Sequence, residues 1–139
     1  MNNTCIRHNE PDYVSRAHYK GILDDSSRAL FRGRIVVAED AQQTDSEQAN
    51  NNLLLSTDAR INSKPQLEIY ADDVSCTHGA TVGQLEEEKL FYLQSRGIAK
   101  KRATGLLVRA FGNEIVDKID SKKLREVLQE GLIATLGSA

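Results

Sequence analysis

Apolar residues fall in short runs over the first part of the chain and in stripes of three-and-four spacing over the last. From residue 19 to 85 the runs are Leu30-Phe-Arg-Gly-Arg-Ile-Val-Val37, Asn52-Leu-Leu-Leu-Ser56, Ala59-Arg-Ile61, Leu67-Glu-Ile-Tyr-Ala71 and Ala80-Thr-Val82, separated by turns rich in Asn, Asp and Ser. They are too short for helices and read as strands, with Pro65 falling between two of them, where its missing amide does no harm. Hairpin signals of the Asn-Gly or Asp-Gly kind are absent, the Gln42 to Asn52 stretch is too polar for a buried sandwich strand, and Asn50-Asn-Asn52 suits amides stacked along a coil axis. The pattern therefore favours a solenoid over a sandwich.

After Gln84 the period changes. Glu86-Glu-Glu88 suits the first turn of a helix and Gly97 its end, giving a helix over roughly Leu85 to Arg96. Ala103, Leu106, Leu107, Ala110 and Phe111 form an amphipathic stripe on a second helix. Ser121 is a cap candidate for a third, which carries Leu124, Val127, Leu128 and Leu132 on one face. The expected organisation is an irregular segment over 1–18, coils over 19–85 and a helical domain over 86–139, with the helices covering the open end of the solenoid.

Composition narrows the function. The 139 residues include no Trp, three Phe and four Tyr, so the core must be mostly aliphatic. Eighteen basic against twenty acidic residues leave a net charge of −2, which gives no electrostatic case for nucleic acid or an anionic membrane surface, and Lys100-Lys101-Arg102 is only a local cluster. Apolar runs are too short for a spanning helix. The segment from Met1 to His8 lacks the apolar stretch of a secretory signal, so a cytoplasmic, reducing compartment is expected. Cys5 and Cys76 are accordingly expected as free thiols, Cys5 without a role.

The candidate chemistry is concentrated in one strand. Cys76 and His78 stand two apart in an extended run, so they share a face beside Gly79. Alone they supply half of a metal or sulfur site. Asp72 and Asp73 face opposite ways if extended and read as turn residues. His8 and His18 read as surface histidines. The faces at Leu106, Leu107, Leu124 and Leu128 read as core, with Val108, Ile115 and Ile119 as an exposed strip. A phosphate loop, a catalytic triad order and a CxxC pair are all missing, so no catalytic centre is read in the chain.

Several ordered segments resemble the SufBD family of iron–sulfur cluster assembly scaffold proteins. They are Phe31-Arg-Gly-Arg-Ile-Val-Val37, Ala41-Gln-Gln-Thr-Asp45, Asn52-Leu-Leu-Leu-Ser56, Pro65-Gln-Leu-Glu-Ile-Tyr-Ala-Asp-Asp-Val74, Cys76-Thr-His-Gly-Ala-Thr-Val-Gly83 and Leu90-Phe-Tyr-Leu-Gln-Ser-Arg-Gly-Ile98. Gly79 and Leu93 stand where SufB-like chains tend to carry Glu and Cys, which resembles the SufD branch. Family members are longer, and the chain resembles their C-terminal part. The resemblance implies a mainly β fold with C-terminal helices: a partial right-handed parallel β-helix followed by a small three-helix α domain.

It further implies a non-catalytic scaffold subunit of a SufBCD complex. SufB would pair through the β-helix, and SufC, the ATPase, would dock on the C-terminal helices. Cys76 and His78 would contribute to cluster assembly at the SufB interface as ligands shared with the partner. No cofactor is expected to be held stably by the chain alone, a transient iron–sulfur cluster forming at the partner interface. Two alternatives stay open on the residues themselves. One is a small metal-dependent enzyme with Cys76, His78 and either Asp72 or Asp73 as ligands. The other is a structural solenoid fragment that self-associates, as a homodimer for example, through a raw edge between Tyr19 and Val37.

Overall fold

Six strands alternate between two parallel sheets, so that each pass of the chain lays one strand on each. In the computed structural model, which describes residues 1–136, these are β1 (Asn2–His8), β2 (Val14–Leu23), β3 (Arg28–Val37), β4 (Asp45–Leu54), β5 (Arg60–Ile69) and β6 (Ser75–Gln84). Sheet A has the order β1-β3-β5 and sheet B the order β2-β4-β6. All pairings are parallel, with Ile6, Ile35 and Leu67 aligned across sheet A and Ser46 and Cys76 across sheet B. This is the architecture of a β-helix, in which consecutive coils stack on one another. Three helices follow: α1 (Glu87–Ser95), α2 (Lys100–Val116) and α3 (Lys122–Leu136). The last residues of the expected helical domain, 137–139, lie outside the described residues.

The alternation inside each strand explains the layering. On β3, Phe31, Ile35 and Val37 are buried between the sheets while Arg28, Arg32 and Arg34 face water. Ile35, Val37, Ala41 and Ala71 form a buried apolar cluster, joined at its edge by Ile6, Leu67, Val74 and Cys76. Further along the strands the interior turns polar. Ser46, Gln48, Asn50 and Asn52 of β4 are all buried, with Asn52 Nδ2 donating to Asn50 Oδ1 at 2.7 Å and Ser63 Oγ donating to the same oxygen at 2.9 Å. Bonds along the strand and across to Ser63 and the Gly33 carbonyl satisfy part of this polar interior, while Gln48 Oε1 and Asn52 Oδ1 are buried without a partner.

Four expectations are corrected. The segment 1–18, expected to be irregular, contains β1 and half of β2: their apolar content is too low to signal strands, and the ladder to β3 and β4 supplies what local propensity does not. The two runs flanking Pro65 are one strand, β5, and Pro65 sits inside it on the outermost rung of sheet A, where a missing donor costs no ladder bond on the open side. The helices lie at the first-coil end of the solenoid and not at its last coil: α2 contacts β2, one edge of sheet B, and β6, the other edge, is exposed along most of its length. On the helices, Val108 is buried rather than exposed, whereas Leu124 and Leu128, read as core, are exposed. Ser121 does cap α3, its Oγ accepting from the Leu124 amide at 3.4 Å. Among the described residues no helix is long and apolar enough to cross a membrane.

Candidate functional site

The site is built on β6, whose inward residues continue the columns begun by β2 and β4. Ser15, Ser46 and Cys76 form one column, and Ala17, Gln48 and His78 the next. Cys76 and His78 therefore share a face, as their spacing predicts. Their surroundings differ. Cys76 is half-buried against the apolar cluster, while His78, Ala80 and Val82 are exposed even though they lie on the inward face, and Gly79 between them is exposed on the outward face. The reason is positional: β6 belongs to the last coil, so no further rung covers it. A Cβ placed on Gly79 would meet nothing within 4 Å, so a partner can approach the backbone beside His78.

Burial pushes the Cys76 thiol above its ordinary pKa. A hydrogen bond from the Ser46 backbone opposes that shift, and the charge of Asp45 adds to it. The resting group is thus a protonated thiol, and a metal or an incoming sulfur would have to displace its proton. Beneath it the column is tied together: Ser15 Oγ and Ser46 Oγ are 2.7 Å apart, and His8 Nε2 lies 3.0 Å from Ser15 Oγ. His8 is buried, contrary to its reading as a surface histidine, and meets Ser15 of β2, a contact that no local pattern announces.

Gln48, fully buried below His78, donates through Nε2 to the Gly33 carbonyl at 3.3 Å, and its Oε1 has no partner. Asp72 and Asp73 are exposed turn residues, where the Asp73 amide donates to Gln42 Oε1 at 2.9 Å. Among the described residues no three or more His, Cys, Asp or Glu side chains gather into a metal-holding group, so neither aspartate joins Cys76 and His78 as a third ligand. Cys5 is exposed on β1 against Arg34, remote in register from β6. The arrangement offers one soft and one borderline donor, side by side at an uncovered strand.

A family model described as the SufBD core domain of the SUF system for FeS cluster assembly matches residues 1–111. The chain is 45% identical to the iron–sulfur cluster assembly protein SufD of Escherichia coli over 123 residues, covering 88% of this chain and 29% of that protein. It is 43% identical to a SufBD family protein of Synechocystis, covering 91% of this chain and 28% of the relative. A Mycobacterium leprae SufBD family protein is 39% identical, with 88% and 33% covered. The chain thus spans about a third or less of the length of these relatives.

Proposed function

Since the chain belongs to the SufBD family and is SufD-like, we propose that it serves iron–sulfur cluster assembly as a non-catalytic scaffold subunit, with Cys76 and His78 as its contribution to the site. The observation that carries this reading is the position of the pair: two cluster-competent donors on one face of an edge strand whose inward side is uncovered. Two donors are half of a four-coordinate set for iron and sulfide, and a partner surface laid over β6 would bring the rest. The cluster is cargo, passed through the interface rather than kept.

In this reading SufB pairs with the open edge of β6 and SufC docks on the helices, within a SufBCD complex. The solenoid is right-handed, because parallel crossovers almost always take that hand. Two free cysteines suit a reducing compartment such as the cytoplasm. The test is co-elution with SufB in size-exclusion chromatography. The chain should co-elute, and Val82→Lys, which sets a charge on the open face of β6, should abolish it. Equal co-elution of the variant, or none of the unaltered chain, contradicts the edge as the docking site.

A further inference from the structure

The two sheets carry their charge differently. On sheet B, Arg16 pairs with Asp45 and Glu47, and Lys20 pairs with Glu114 of α2 while donating to the Phe111 carbonyl at 2.9 Å. Every Lys and Arg of those strands is answered within the chain. Sheet A is different. Of the eighteen basic and twenty acidic residues, six and one fall on β1, β3 and β5, which leaves twelve and nineteen elsewhere. The six are Arg7, Arg28, Arg32, Arg34, Arg60 and Lys64, and the acid is Glu68. Register puts them all on one face: Arg28 stands beside Arg60, Arg32 beside Lys64, and Arg34 and Arg7 follow on the same outward parity, opposite to the buried Phe31, Ile35 and Val37. All six are exposed. Arg34 reaches Glu68 at 3.3 Å, and Arg60 donates to the Thr57 and Ala59 carbonyls. Among the described residues, Arg7, Arg28, Arg32 and Lys64 have no ion-pair partner.

Like charges directly opposite one another on neighbouring strands are destabilising, so the Arg28–Arg60 and Arg32–Lys64 rows are a cost that an anionic partner would relieve. We propose that the outer face of sheet A is a docking surface for an acidic protein segment in extended conformation. Alternate residues of β3 stand about 6.6 Å apart, the pitch at which an extended segment presents carboxylates from its own alternate positions. Five of the six cations are Arg, whose planar fork binds carboxylate in a bidentate manner. Asn3, Asn62 and Gln66 are exposed on the same face and offer amides to the backbone of the segment. A nucleic acid fits less well. The one aromatic residue of these strands, Phe31, points inward and is buried, so no ring is available for bases to stack on, and the rest of the chain is acidic. Cys76 and His78 lie on sheet B, so this surface is separate from theirs and does not depend on the assembly role.

The test is fluorescence anisotropy of a labelled peptide of alternating Glu and Ser, titrated with the 139-residue chain at low ionic strength, where screening is weak. The peptide should bind. The double variant Arg32→Glu, Lys64→Glu should weaken binding by about tenfold or more, whereas Lys101→Glu, in the exposed basic cluster that opens α2, should change it by less than about twofold. If the reversed charges disturb folding, Arg32→Gln with Lys64→Gln replaces them and should weaken binding by about threefold. Absence of binding to the unaltered chain, or an equal loss in Lys101→Glu, overturns the proposal. So does tighter binding of a single-stranded oligothymidylate of the same charge, which would make the face a nucleic-acid surface instead.

Discussion

Gln48 and Gly33 show how one residue's identity depends on another across the solenoid. A Cβ on Gly33 would lie within the Gln48 amide, so Gly33→Ala must push that side chain aside and should cost about 1–3 kcal/mol, measured by urea denaturation. The same change in a Gln48→Ala background should be nearly free, because the obstructing amide is gone. For Cys76 the raised thiol pKa fixes a sign. The folded chain holds the proton more tightly than the unfolded one, so this stabilisation is complete below the unfolded thiol's pKa and is lost as pH rises through the folded value. Iodoacetamide should accordingly modify Cys76 more slowly in the folded chain at pH about 8 than in denaturant; equal rates would contradict its burial. The shared face of Cys76 and His78 was readable from spacing alone, since strand alternation is local. The burial of His8 was not, because the hydroxyl chain it joins, Ser15 and Ser46, comes from two different coils.

Among the elements, β3 and β4 mark the two limits of legibility. β3 alternates apolar and charged residues and reads as a half-buried strand; Ile35→Ala, at the centre of the apolar cluster, should lower stability by about 2–5 kcal/mol in thermal or chemical unfolding. β4 is polar on both faces, and the interior role of Gln48, Asn50 and Asn52 emerges only when a second sheet supplies Ser63 and Gly33 opposite them. The helices were legible as helices, by period and by the Ser121 cap, but not in orientation. Which stripe is buried depends on docking, and docking rests on Lys20, a strand residue with no helical signature. β6 leaves an unpaired strand edge, so the isolated chain should show a sedimentation mass that rises with concentration, and Val82→Lys should suppress the rise. A mass independent of concentration in the unaltered chain would mean the edge does not recruit strands.

At the scale of the whole molecule, the solenoid brings columns from successive coils to a terminal rung and leaves that rung open, while the helices lean on the first coil instead of closing the last. On the proposed reading, function depends on what covers β6. The most direct measurement is cluster formation on this chain mixed with SufB and SufC, followed by the visible absorbance of the cluster, for the unaltered chain and for His78→Ala and His18→Ala. His78 is exposed, so its removal should leave the fold intact. The account predicts a loss of about tenfold or more for His78→Ala and none for His18→Ala. Equal cluster formation in the His78→Ala chain would contradict it.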